Sequence, residues 1–304
     1  MRSLHPPPDP AIPLDAWATR GRRHPIFGHE IFAVDTGPMP GGNAPILVLH
    51  GFPSSSQDFR PALPHLAAGR RVIVHDHLGF GASDKPARTS YSLIEQAEVA
   101  LALWRSLGVT AGHIVAHDYG TSIATELLAR RERGGLPIEI RSVTLCNGSV
   151  HLDLAHLTPS QHLLRTPYVG PFFARLAGER VFTTQLRRIL GSPGSIPDAE
   201  LHAMWEGMIA GSGRRRLAAI AGYMNERVRF RERWIGALTR LDLPTHILWG
   251  RRDPVALPAV AEALAAEIRG AKMTWLDDLG HYPMLEAPER WATAAVAFLD
   301  GLDR

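Results

Sequence analysis

The sequence predicts an α/β fold: a mostly parallel central sheet flanked by helices, with a helical cap inserted after the sixth strand. Three observations predict it. Short, continuous apolar runs recur along the chain, each followed by a loop of Gly, Pro and polar residues. Helical periodicity fills the gaps between them. From about residue 151 to 234 this alternation stops and only helical patterns remain, after which it resumes.

Taken in order, residues 1–20 read as an extended lead-in. The stretch H-P-P-P-D-P-A-I-P, from His5, is too proline-rich for a helix and has no apolar signal core. Residues 31–34 (I-F-A-V) fit an antiparallel edge strand. The runs Ile46–Leu49 (I-L-V-L), 72–74 (V-I-V) and 113–116 (H-I-V-A) are continuous rather than alternating. Strands of a parallel sheet buried on both faces have that pattern. In residues 92–107 apolar positions recur at three and four, as in a helix covering a sheet. Residues 142–146 give a further strand. Strands at 245–249 (T-H-I-L-W) and 273–276 continue the sheet, with helices at 256–268 and 288–302. The expected division is a core of residues 21–150 and 235–304, with a cap of residues 151–234.

Composition bounds the function. With 304 residues and 45% apolar side chains, the chain can bury a full core. Thirty-three Lys and Arg against 30 Asp and Glu leave a charge of only +3, and no nucleic-acid-binding module is present. The patch Arg214, Arg215, Arg216 reads as a solvated helix face. Cys146 is the single cysteine, so no internal disulfide is possible; in S-V-T-L-C-N it reads as a small buried hydrophobe. No apolar run reaches the ~18 residues of a membrane span. The expected location is cytoplasmic, and monomer and homodimer both stay open.

The chemistry starts at V-A-H-D-Y-G-T-S, residues 115–122. Asp118 follows a strand, precedes a helix and has Gly120 two residues on. This is the strand–turn–helix shape of a nucleophile elbow, G-x-S-x-G, with Ala116 for the first Gly and Asp for Ser. An Asp there could simply cap the helix. But Asp253 follows the strand at 245–249, in W-G-R-R-D-P-V, and His281 follows the next, in D-D-L-G-H-Y-P. Nucleophile, acid and His, each after a strand end, is the order of a hydrolase triad. A carboxylate nucleophile suits displacement at saturated carbon, leaving an alkyl ester for His281-activated water to cleave while Asp253 orients the imidazole.

With these residues the chain resembles the α/β-hydrolase fold enzymes of the epoxide hydrolase and haloalkane dehalogenase group. The carrying motifs are H-G-F-P at residues 50–53, D-H-L-G-F-G-A-S-D-K-P at 76–86, H-D-Y-G around Asp118, and the Asp253 and His281 loops. The likeness covers nearly the whole chain after about residue 20. The stretch Y-M-N-E-R-V-R-F-R-E-R-W-I-G-A-L, from Tyr223, also resembles the mesoderm-specific-transcript-like branch. The resemblance implies an oxyanion hole made by the backbone N–H groups of Phe52 and Tyr119. Haloalkane dehalogenases carry Asn and Trp at those two positions to cradle a halide; this chain has neither. Fluoroacetate-type dehalogenases carry Arg after the nucleophile, where this chain has Tyr119.

An epoxide oxygen needs an acid, which the resembling epoxide hydrolases supply from two cap tyrosines. Tyr168, in R-T-P-Y-V-G-P, and Tyr223, in A-G-Y-M-N-E-R, match the approximate locations of that pair. Tyr282, beside the candidate His, is a rival for the second place. Phe172, Trp205, Met224 and Tyr282 are expected to line an apolar pocket over Asp118. His75 and His77, in H-D-H, are no convergent metal set, and G-F-G-A-S at residues 79–83 is no dinucleotide fingerprint. The expected activity is therefore cofactor-free and metal-free: opening of a small hydrophobic epoxide to a vicinal diol. A haloalkane dehalogenase, a lactone or ester hydrolase, and a non-catalytic ligand-binding relative are the alternatives.

Overall fold

The computed structural model describes residues 11–39 and 42–302; most of the proline-rich stretch from His5 lies outside them. Eight strands form one sheet: β1 (Arg22–Ile26), β2 (His29–Asp35), β3 (Ile46–Leu49), β4 (Val72–His75), β5 (Ala111–His117), β6 (Glu139–Cys146), β7 (Thr245–Gly250) and β8 (Lys272–Leu276). Their spatial order is β1-β2-β4-β3-β5-β6-β7-β8. β1 pairs with β2, and β2 with β4, antiparallel; every other neighbour is parallel. The continuous apolar runs are the parallel strands. Ile46 and Val48 point into one buried cluster, Leu47 and Leu49 into the other, so the sheet has a core on each face.

The antiparallel strand expected at residues 31–34 is present in β2, but it is not the edge. β1 takes that place. Its sequence R-R-H-P-I hides it, since a proline within a run argues for a sheet edge at most. Phe27 and Gly28, at φ 50° and 77°, make the two-residue turn, the left-handed pair that matches strand twist in a hairpin. The lead-in is not extended throughout either. Leu14–Ala18 forms a short helix, α1, because Trp17 is fully buried and its indole donates to Ser56 Oγ at 3.0 Å.

The remaining helices follow in order. In the first part of the chain they are α2 (Leu63–Leu66), α3 (Leu93–Ser106) and α4 (Tyr119–Glu132). Between β6 and β7 lie α5 (Pro159–Leu164), α6 (Val169–Leu176), α7 (Glu179–Ile189), α8 (Asp198–Ile209), α9 (Gly213–Ala221), α10 (Tyr223–Arg229) and α11 (Arg231–Thr239). Then come α12 (Pro258–Glu267), α13 (Pro283–Glu286) and α14 (Pro288–Asp300). The run between β6 and β7 is held to the sheet's helical layer by Glu126 on α4. It accepts from Arg233 Nε and Nη2, each at 2.8 Å, and from Trp234 Nε1 at 2.9 Å.

Candidate active site

β5 delivers Asp118 to the carboxyl edge of the sheet, where ligands of open parallel sheets bind. Asp118 has φ 43° and ψ −106°, a strained conformation for a residue with a Cβ, costing on the order of 1–3 kcal/mol. The surroundings over-determine it. The Asp118 N–H donates to Cys146 O at 3.1 Å, and its carbonyl accepts from Thr121 N at 3.1 Å and Thr121 Oγ1 at 2.6 Å. Gly120 permits the turn: a Cβ there would sit 2.3 Å from the Leu49 carbonyl oxygen. The elbow tolerates Ala116 because that residue is small and fully buried within β5.

The Phe52 N–H donates to Asp118 Oδ2 at 2.9 Å. Tyr119 opens α4, so its N–H is among the helix-terminal donors that have no partner within the helix. Oδ1 of Asp118 lies 3.9 Å from Arg227 Nη2. The loop bearing Phe52 is fixed by its motif. His77 N–H donates to His50 Nε2 at 3.0 Å, which leaves His50 Nδ1 to donate to Gly51 O at 2.8 Å. Asp76 takes Ser56 N–H at 2.7 Å and Ala82 N–H at 2.6 Å, binding the two sequence motifs together. Gly81, at φ 46°, is needed because a Cβ would run into that carboxylate.

His281 Nδ1 donates to Asp253 Oδ2 at 2.7 Å. Asp253 is itself held by Asn147 Nδ2 at 2.8 Å and by the N–H groups of Val255 and Ala256 at 2.8 and 3.0 Å. Burial of the imidazole opposes its charged form. The charge and hydrogen bond of Asp253, then the charge of Asp118, outweigh that and raise His281 to about 9. On its other side His117 Nε2 donates to the His281 carbonyl at 2.7 Å. Burial, and then the charge of His281, lower His117 to about 3, so it is a neutral prop.

Tyr223 is buried, and its hydroxyl has no hydrogen bond of ordinary geometry among the described residues. Its ring lies 4.8 Å from that of Tyr119 and 5.6 Å from that of Phe52. Burial, and then the charge of Asp118, push the phenol above its ordinary value; the adjacent Arg227 acts in the opposite sense. Tyr282 is also buried, with its hydroxyl 3.5 Å from Phe52 O. Tyr168 does not join them. Its side chain is 94% exposed, at a residue with φ 66° that turns it outward, so a part in the site is corrected.

A cavity of about 830 Å³, counting its open mouth, reaches Phe52, His281 and Tyr282; Asp118 and Tyr223 lie behind these and are not themselves in its lining. Phe52, Pro53, His281 and Tyr282 line its inner end; Phe173, Phe182, Trp205, Met208 and Leu217 line its walls, and Thr158, Ser160, Gln161 and Gln185 add a polar strip. Of the expected pocket residues, Trp205 and Tyr282 are in this lining. Phe172 is not: it faces solvent at 66% exposure, and its neighbour Phe173 turns inward instead. Met224 is fully buried in the core cluster and is absent from the lining. Cys146 is buried, accepts from Trp291 Nε1 at 3.4 Å and has a thiol pushed up by burial. Among the described residues no three His, Cys, Asp or Glu side chains converge as a metal site, and no helix is long and apolar enough to cross a membrane.

Sequence reasoning missed two residues here. Asn147 holds both Asp253 and the Gly250 N–H at 2.9 Å. Arg227 is buried, donates from Nε to Ser122 Oγ at 2.7 Å and from Nη2 to Asp118 O at 3.3 Å, and lies over the Tyr223 ring at 4.6 Å. The spacing of Tyr223 and Arg227, one turn apart on a helix, was the available signal.

Comparison with known proteins places the chain in a family. LipZ of Mycobacterium tuberculosis, whose name marks it as an inferred hydrolase, is 41% identical over 93% of this chain and 96% of its own. The human mesoderm-specific transcript homolog protein is 35% identical over 98% of this chain and 91% of its own. Among solved structures, the epoxide hydrolase CorEH superposes with a TM-score of 0.74 at 19% identity, over 93% of this chain and 99% of that one. A haloalkane dehalogenase DbeA variant from Bradyrhizobium elkanii gives 0.74 at 23% identity, over 93% and 97%. The two superpose equally well, so they speak to the fold alone. The alpha/beta hydrolase fold family matches residues 44–288, and the chain belongs to that family.

Proposed function

We propose that this hydrolase opens an epoxide to a vicinal diol through a covalent ester on Asp118, with the helices of residues 151–234 serving as its cap. The observation that carries the reading is Tyr223: a buried phenol whose proton has no acceptor among the described residues, since the adjacent Arg227 can only donate, close enough to Asp118 to feel its charge. A donor left idle beside a nucleophile suits a reaction whose leaving oxygen needs a proton.

In the proposed first step Asp118 Oδ1 attacks an epoxide carbon. Oδ2 stays in the hydrogen bond from Phe52 N–H and becomes the ester carbonyl oxygen. The ring C–O bond breaks, and its oxygen takes a proton from Tyr223, with Tyr282 as the second donor in the place expected of Tyr168. Forming the ester abolishes the Asp118 charge, one of the causes that raise His281. The imidazole thereby loses affinity for its proton, which passes to solvent, so it is neutral when a base is required. In the second step His281 takes a proton from water, and the hydroxide adds to the Asp118 carbonyl carbon. Negative charge develops on Oδ2, facing the Phe52 and Tyr119 N–H groups. Collapse breaks the ester bond; the departing oxygen takes the proton of the new Asp118 carboxyl group, which releases the diol and restores the carboxylate, and the proton on His281 is returned to the tyrosine.

A halide would need N–H donors at its departure point. The side chains of Phe52 and Tyr119 carry none. The test is a paired screen of the purified chain, following diol formation from aromatic and aliphatic epoxides and halide release from bromo- and chloroalkanes. Diol without halide is the expected result; halide without diol would overturn it. A single turnover in ¹⁸O-water should label Asp118 rather than the diol. The His281→Gln variant should accumulate an Asp118 adduct visible by mass spectrometry.

A further inference from the structure

Nine large apolar side chains are exposed among the described residues, and six of them, Leu163, Tyr168, Val169, Phe172, Leu176 and Val181, fall within residues 163–181. They are not scattered. Val169, Phe172 and Leu176 are spaced three and four apart, one stripe along α6. Leu163 on α5, Tyr168 at the N-cap of α6 and Val181 on α7 extend it. α6 is thus apolar on two faces. Its inner face, with Phe173 and Ala174, lines the cavity, while its outer face meets nothing among the described residues that would bury it. Leaving a Phe and a Leu in water at 66% and 68% exposure forfeits the burial that drives folding. Tyr168 adds a left-handed backbone conformation that costs further energy and holds a phenol outward.

Charge decides what could cover this face. Residues 159–190 contain five arginines and a single acidic residue, Glu179, and Glu179 is engaged by His202 Nδ1 at 2.6 Å. α9 packs against α6 and carries Arg214, Arg215 and Arg216; the first of these donates to the Arg175 carbonyl at 3.1 Å. Arg175, Arg180 and Arg215 are exposed beside the apolar stripe. The whole chain carries only +3, so this face holds more than its share of positive charge. A second copy of the same face would bring arginines against arginines. An apolar helical stripe with aromatic residues and a rim of arginines is the pattern of a helix lying in the headgroup region of an anionic bilayer.

We propose that the outer face of α5, α6 and α7 docks on the surface of a bilayer containing anionic lipid, without crossing it. Tyr168, Phe172 and Leu176 enter the headgroup boundary, and Arg175, Arg180 and Arg215 meet lipid phosphates. Docking there sets the mouth of the cavity against the membrane, since Val181 belongs both to the exposed stripe and to the cavity lining. The substrates favoured are therefore apolar molecules dissolved in lipid. The docking itself does not depend on which bond the site cleaves.

The test is flotation of the full chain with vesicles of phosphatidylcholine alone and of phosphatidylcholine mixed with phosphatidylserine. Binding to the mixed vesicles, weakened by added salt, is expected. Replacing Arg175→Gln and Arg180→Gln together should weaken it by about 30-fold. Phe172→Asp with Leu176→Asp should abolish it, with circular dichroism and the melting temperature kept, because both side chains are already exposed. The proposal is overturned if the native chain fails to float with the mixed vesicles, or if the Phe172 and Leu176 substitutions leave flotation unchanged. It is also overturned if sedimentation shows a dimer that the same substitutions dissolve, which would make the occupant a second copy.

Discussion

At the scale of single residues, the reaction depends on which groups hold protons. Tyr223→Phe removes the idle donor and little volume, so the fold should survive. Epoxide opening should slow by about 100-fold or more, the usual contribution of a positioned acid. Tyr168→Phe should change nothing, since that hydroxyl is in solvent. Stopped-flow measurement of the ring-opening step in both variants checks the pair; equal rates would end the role given to Tyr223. His281 offers a second handle. Burial works against its charge, Asp253 contributes the larger raising effect and Asp118 a smaller one. Asp118→Asn should therefore lower the imidazole from about 9, and Asp253→Asn should lower it further. Nuclear magnetic resonance titration of the His281 ring reads both shifts. An unmoved value in Asp118→Asn would break the link between ester formation and the base.

At the scale of elements, the elbow is an agreement between a strand, a turn and a helix. Gly120→Ala would place a methyl 2.3 Å from the backbone oxygen of Leu49 on β3, which cannot swing aside as a side chain can. A loss of about 1–3 kcal/mol is expected from that overpacking, measurable by urea unfolding, along with lost activity as Asp118 shifts. This element was legible in the sequence because its demands are local: an apolar run, a polar knot, a small residue. The parallel strands were legible for the same reason, since burial on both faces leaves a continuous run. What escaped depends on contacts distant in sequence. β1 is a strand because β2 pairs with it, despite Pro25 and its charged neighbours. α1 exists because Trp17 finds Ser56, 39 residues away. Tyr168 failed as a ring-opening acid, and Phe172 and Met224 as pocket residues, because helical spacing says which residues share a face but not which face turns inward. Arg227 was lost among many arginines that do face water, and only packing against Asp118 and Tyr223 sets it apart.

At the scale of the whole molecule, the doubly covered sheet has buried more histidine than it can protonate. His75 and His117 are both lowered by burial to about 3, His75 also by His50 and His117 by His281. The unfolded chain would protonate each near 6.5. As pH falls below 6.5, unfolding therefore takes up protons that the folded state refuses. Stability that is complete above 6.5 is lost toward 3, at about 1.4 kcal/mol per pH unit for each such group. Raised carboxylates oppose this. Burial lifts Asp58, Glu200, Glu226 and Glu286, and each favours the folded state as pH falls toward its unfolded value. A comparison of variants separates the two. Neither ring nitrogen of His75 has a hydrogen-bond partner among the described residues, and its ring meets those of His77 and Trp104 edge-on at 5.0 and 6.1 Å. Phenylalanine can therefore take its place with the packing kept. The carboxylates are common to the native chain and His75→Phe, so they cancel in the difference. Urea unfolding from pH 7 to pH 4 should show the variant gaining on the native chain below about 6, by roughly 1.4 kcal/mol per pH unit. A difference that stays constant across that range would mean that His75 takes up its proton in the folded state.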